Sequence, residues 1–193
     1  MGSLINYLSQ SSAITWLVLL VLSAYFIATL WIFFYRYRTL QHRIAVESQA
    51  LSRLYRGRSE KLPADAVLVG YLQQMGFVNE ALLKAAVNDA VRSATRGLTP
   101  LSIIASTSPF VGLFGTVVGI LEAFGRLGTQ KSASLSVVAP AISEALVATA
   151  AGIFVAIFAY AFHLILKRRA YELHSLLESQ ADIILAQKSK GGG

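Results

Sequence analysis

The chain contains no cysteine, which excludes disulfide frameworks and thiolate-ligated metals. It is also poor in charge. Only 14% of its residues are Asp, Glu, Lys or Arg, against roughly 25% in soluble domains. Acids are the scarcer sign, 10 against 17 Lys and Arg. The three histidines, His42, His163 and His174, have no metal-ligand spacing. No nucleophile triad or nucleotide loop is present. Residues 112–119 (GLFGTVVG) have glycines at suggestive intervals, but they lack the Lys-Ser/Thr ending of a phosphate loop and lie inside an apolar run. An enzyme is not expected, and neither is a cofactor.

What the chain has instead is hydrophobicity, 55% of residues, with a mean hydropathy of +0.58. The net charge of +7 could suit nucleic acid. The positive residues cluster at the edges of apolar runs, however, which fits membrane flanks and not a phosphate groove.

The pattern predicts an all-α integral membrane protein with three transmembrane helices. Residues 1–12 form an N-terminal segment outside the first span. Residues 13–35 are the first span, long enough for a ~30 Å core and read as retained, because a basic n-region and a small-residue cleavage site are lacking. Residues 36–99 hold ten Lys/Arg and five Asp/Glu and read as a helical domain outside the bilayer that continues the membrane helices. Its stripes are Ile44-Leu51-Leu54-Tyr55 and Leu82-Ala85-Ala86-Val91, with a break at Gly57 to Pro63. Residues 100–126 are the second span, 127–134 a short hairpin, and 135–166 the third span. At 1.5 Å per residue the third is about 48 Å long, more than a bilayer needs, so it either tilts strongly or carries an extension into the cytoplasm as part of a bundle. Residues 167–193 read as one more amphipathic helix, striped by Leu173, Leu176, Leu177, Ile183 and Ile184, followed by a tail. Gly191 to Gly193 is left out of the fold reasoning.

Lys/Arg asymmetry predicts orientation. The middle segment carries ten, the C-terminal tail five, the hairpin with its edge residue two (Arg126 and Lys131) and the N-terminus none. The positive-inside rule then gives N-out, C-in, with the middle domain and tail in the cytoplasm.

Glu144 is the one ionisable residue deep inside an apolar segment. It lies ten residues past Ser134, about 15 Å down a helix and near mid-bilayer. The same arithmetic from Arg126 brings Thr116 of the second span to that depth. A carboxylate there costs about 2.5–3.5 kcal/mol on insertion scales, and desolvation favours its neutral form. Glu144 therefore either binds and releases protons or serves as a hydrogen-bonded link between helices.

On a helical wheel Thr149 lies about 140° from Glu144. The arc between them holds Ala141, Ala145, Ala148, Gly152, Val155, Ala156 and Ala159, nearly all small. The opposite side holds Ile142, Leu146, Ile153, Ile157 and Tyr160. The bulky side suits lipid or a neighbouring span. The smooth side suits a close-packed helix, either of a partner or of the same chain. In the second span Thr116 shares a face with Ala105, Pro109, Gly112, Gly119 and Ala123, and Gly115 and Gly119 form a small-xxx-small pair. Pro109 and Pro140 each remove a helical donor inside a span.

Three further features have simpler readings. Glu122 can pair with Arg126 at i,i+4. His163 is either a proton relay or a packing residue. The Arg36/Arg38/Arg43 and Lys167/Arg168/Arg169 clusters suit phospholipid head groups.

Residues 108–119 (SPFVGLFGTVVG) and 138–152 (VAPAISEALVATAAG) resemble the second- and third-span signatures of the TolQ/ExbB family, to which MotA is a more distant relative. Phe158 stands where the family usually carries a Pro, and Val118 where an aromatic is common. The resemblance implies a homo-oligomeric ring, typically a pentamer, in the bacterial inner membrane. The ring would surround the single spans of a TolR/ExbD-like partner that supplies an Asp. Proton flow would move that partner, with the work delivered through a TolA/TonB-like protein. Glu144, Thr149 and Thr116 fall on the family's functional Glu and two Thr. The smooth faces, with Ala141, Ala145, Ala148, Gly152, Ala156, Gly112 and Gly119, would be the ring's lumen, with His163 as an accessory. Residues 127–135 resemble TolQ more than ExbB, so a Tol-Pal-type motor is the first expectation, and an ExbB-type subunit or a non-conducting scaffold the alternatives. No nucleic-acid partner is implied.

Overall fold

The computed structural model describes residues 13–56, 63, 65–75, 79–129 and 135–191. Every regular element among them is a helix: α1 (Ala13–Tyr55), α2 (Val67–Met75), α3 (Glu80–Thr95), α4 (Leu98–Thr129) and α5 (Leu135–Gly191). Three stretches, within Ile14–Tyr55, Glu80–Gly125 and Ala139–Gln187, are long and apolar enough to cross a membrane, with peak mean hydropathies of 2.5, 1.8 and 2.2. The fold fits a multi-pass membrane protein.

The helices are longer than the apolar runs that define them. α1 continues through the Arg36/Arg38 cluster, and α5 through Lys167-Arg168-Arg169, without a break. The expected separate C-terminal helix is thus corrected to a continuation of the third span. Lys and Arg are good helix formers, and neither Gly nor Pro stands at either junction to end the helix. Both α4 and α5 also run on through their prolines, Pro109 and Pro140.

The described residues divide into two compact units. The first contains the apolar parts of α1, α4 and α5, up to Ile32 and from Pro100 to Phe162. Val18, Leu22, Ile104, Ala148, Val155 and Ala159 form its core. A Cβ on Gly115 would lie 3.0 Å from both Val18 and Ala148, and Phe26 packs on Phe154 and Phe158 at 5.6 and 5.7 Å between ring centroids. Numbers rise together in these pairs, so α1 and α5 run parallel. Gly119 meets Ala145 and Gly112 meets Gly152, so α4 runs antiparallel to both. The wheel of α5 is matched on its bulky side, where Leu146, Ile153, Ile157 and Tyr160 are exposed.

The second unit contains Phe33–Thr99 and His163–Gly193. Asn79 caps α3, its side chain accepting from the Ala81 amide at 3.3 Å, and Glu80 pairs with Lys84 at 2.7 Å. α3 buries Leu83, Ala86, Val87, Ala90 and Ala94. The expected stripe of Leu82, Ala85, Ala86 and Val91 is therefore turned by about one position, since Ala85 is exposed and Leu82 half-buried. Glu47 of α1 is only 1% exposed. Its carboxylate accepts from the Val67 amide at the start of α2, at 2.8 Å, and from Gln180 Nε2 at 2.9 Å. That Nε2 also reaches the Glu47 carbonyl. This buried knot ties α1, α2 and α5 together.

Candidate functional site

The site grows from how closely α4 and α5 approach. A Cβ on Gly112 would stand 2.6 Å from the Ala148 carbonyl oxygen, and one on Gly152 2.6 Å from that of Ser108. No side chain fits at either place. One turn away, Gly119 faces Ala145, where an added Cβ would come to 2.9 Å. Small residues let the two backbones meet, as in other close-packed membrane helices.

That contact corrects one expectation. Ala148 is fully buried, Ala145 is 1% exposed, and Gly112 and Gly152 are buried, all within one chain. They pack α4 on α5 and cannot face a lumen. Gly119 joins the same seam, and Ala141 and Ala156 at its borders are half-buried. The wheel identified the right face, but the chain's own α4 and α1 occupy it.

The seam also holds the two threonines. Thr116 Oγ1 lies 2.8 Å from the Ala145 carbonyl oxygen across the seam, 3.4 Å from the Gly112 oxygen in its own helix, and 2.5 Å from Thr149 Oγ1. Thr116 has one proton to give, and the Ala145 oxygen is the better-placed carbonyl. Thr149 then donates to Thr116. Thr116 is 8% exposed, while Thr149 is half-buried at the edge of the seam. The depth arithmetic put Thr116 level with Glu144; its hydroxyl instead bonds the Ala145 carbonyl, one residue on, and Thr149, five residues on.

Glu144 lies elsewhere on α5. It shares a face with Ala151, seven residues on, which packs against the core of the first unit. On the wheel Glu144 and Thr149 flank the small-residue face from opposite sides. Glu144 is half-buried, yet its Oε1 is buried without a hydrogen-bond partner among the described residues. An unpaired buried acceptor costs about 1–3 kcal/mol, so the position is held against its own preference.

Three hydroxyl residues were missed. Thr15 is 3% exposed. It precedes Val18 by one turn as Glu144 precedes Ala148, so the parallel register brings the two to the same level. Ser108 and Thr29 are fully buried, and neither hydroxyl has a partner among the described residues. By contrast, Ser23, Ser106 and Thr107 bond back to carbonyls of their own helix, as hydroxyls in helices usually do. The signal available in the sequence was a hydroxyl amid apolar neighbours.

The remaining candidates do not join this group. His163 belongs to the second unit, where its Nδ1 lies 3.1 Å from the Leu98 carbonyl. A ring N–H donating to that oxygen fits the packing role. The Arg126 side chain and residues 130–134 lie outside the described residues, so the pairing of Glu122 with Arg126 and most of the hairpin do as well.

Comparison with known proteins agrees with the helical signatures. Residues 60–179 match the MotA/TolQ/ExbB proton channel family. A Helicobacter pylori protein named for biopolymer transport, ExbB-like 1, is 42% identical over 188 residues, covering 97% of this chain and 100% of that protein. The Tol-Pal system protein TolQ of Haemophilus influenzae is 42% identical over 93 residues, 48% of this chain and 37% of its own. The biopolymer transport protein ExbB of Neisseria gonorrhoeae is 44% identical over 97 residues, 45% of this chain and 44% of its own. The family consists of membrane proton channels, not enzymes. By the long family match and by a likeness that runs nearly end to end, this chain belongs to the MotA/TolQ/ExbB proton channel family.

Proposed function

We propose that copies of this chain form a ring in the bacterial inner membrane, oriented N-out and C-in, that couples proton flow to movement of an enclosed single-span partner. The partner is of the TolR/ExbD type, and a TolA/TonB-like protein carries the work onward. Glu144 takes up and releases the proton, and the Thr116–Thr149 pair supports its passage. The observation that carries this reading is the unpartnered Glu144 Oε1 inside an apolar helical unit. Buried polar groups are almost always bonded, and an intramembrane acid left without a partner marks a group that exchanges protons.

The buried small residues change where the central space would be. Ser143, Val147 and Phe154, beside Glu144 on the wheel, are exposed. A neighbouring copy packed there would complete the carboxyl's surroundings and leave Thr149's flank, with Ala156 and Tyr160, toward the partner. Between the two family roles, likeness to ExbB-like 1 along 97% of the chain favours an ExbB-type subunit energising TonB-dependent uptake. Residues 127–135 support the Tol-Pal alternative. Complementation of cells lacking either ExbB or TolQ separates the two.

Substituting Glu144→Gln tests the channel against a scaffold. A channel keeps its assembly, a multiple of 20.9 kDa in native mass, and loses cellular function. A scaffold keeps both.

A further inference from the structure

In the second unit α1 and α5 enclose a hollow of about 670 Å³, lined by Tyr37, Ile165, Arg168, Arg169, Tyr171, Glu172, Ser175 and Leu176. Its chemistry is graded along α5. Ile165 follows the apolar run, the two arginines come one turn later, and Glu172 and Ser175 a turn beyond. That order is acyl chain, phosphate, polar head group. A hollow of several hundred Å³ is of ligand-site size.

The charges within it are unequal. Arg169 is engaged twice, with Glu172 at 2.9 Å and over the Tyr37 ring at 5.9 Å. Glu172 is thereby neutralised. Arg168 makes no ion pair among the described residues, so the hollow keeps one uncompensated guanidinium with a fixed fork of donors. Such a fork matches phosphate oxygens. The tyrosine rings have the amphipathic character suited to the membrane interface.

We propose that this hollow is a binding site for the phosphate of an anionic glycerophospholipid, a phosphatidylglycerol-type lipid, with Arg168 as the principal anion contact and Ile165 beside its acyl chains. A zwitterionic lipid fits less well, because its ammonium would enter a site whose only acid is already paired with Arg169. The proposal rests on the membrane reading above and is independent of proton conduction.

The test is native mass spectrometry of the detergent-purified full chain, exposed in turn to phosphatidylglycerol, phosphatidylethanolamine and inorganic phosphate. Arg168→Gln is compared with Arg38→Gln, a basic residue of the same belt that does not line the hollow. Retained phosphatidylglycerol should fall about fivefold in Arg168→Gln, the share of one basic residue near a lipid surface. It should be unchanged in Arg38→Gln, while phosphatidylethanolamine binds more weakly and phosphate does not compete. Equal losses in the two variants would mean a diffuse basic belt and overturn the site. Competition by free phosphate, or equal retention of both lipids, would overturn the lipid assignment. Failure of the wider membrane reading looks different, since a chain extracted without detergent would retain no lipid in any variant.

Discussion

The hydroxyls of Thr116 and Thr149 lie 2.5 Å apart, bridging α4 and α5 beside the close contact of Gly112 with Gly152. That bond exists because Gly112 and Gly152 have no side chains to hold the backbones apart. Packing and polar chemistry are therefore one design here, and substitutions can separate them.

Thr116→Val keeps the shape and removes the shared hydroxyl. Its bonds to Ala145 and Thr149 are lost, for a cost of about 1–2 kcal/mol in a membrane setting. Thr116→Ser should restore most of this. Thermal unfolding in detergent reads the difference, and both variants should assemble at the wild-type mass.

Gly152→Ala places a Cβ against a backbone oxygen that cannot swing away. The seam must open, at about 1–3 kcal/mol. Gly125→Ala is the control, because nothing lies within 4 Å of its added Cβ. It should be neutral or slightly stabilising through helix propensity. Unfolding midpoints of the two variants should move in opposite directions or differ by several degrees.

Glu47→Ala leaves the Val67 amide and Gln180 Nε2 without their buried acceptor. A cost of about 2–4 kcal/mol is expected, since bonds to a charged group are the stronger kind. Faster amide exchange in α2 than in α3 would identify the loss as local to that knot.

Asp89 raises the Tyr71 phenol above its ordinary pKa, first by accepting its hydrogen bond at 2.9 Å, then through slight burial and the carboxylate's charge. A raised pKa means that the folded state favours the neutral phenol. The contribution is therefore full below about pH 10 and lost as pH rises through the folded value. Tyr71→Phe should flatten the alkaline limb of a stability profile while leaving neutral pH nearly unchanged, because the pair is largely exposed.

Much of this was legible in the sequence. Three apolar runs gave three helices, and the 100° wheel separated the bulky side of α5 from its small side. Counting residues to the hairpin brought Thr116 to the stretch of α5 that holds Ala145, whose carbonyl it bonds. What failed was the occupant of the small face. Ala145, Ala148 and Gly152 fit a partner helix or the chain's own α4 equally well, and periodicity carries no information on which arrives. Glu47 was not singled out in the sequence, for a related reason. An acid within an amphipathic run resembles a solvated charge until the distant Val67 amide and Gln180 close over it. A separate C-terminal helix was expected because a charge cluster marks where apolar sequence stops, not where a helix stops.

Proton flux through liposomes holding this chain with its single-span partner tests the central claim most directly. The wild type should conduct under an imposed pH gradient, and Glu144→Gln should reduce flux about a hundredfold, the scale on which a positioned acid-base group acts. Glu144→Asp should retain part of it. Undiminished flux in Glu144→Gln, at equal reconstitution and mass, would contradict the account.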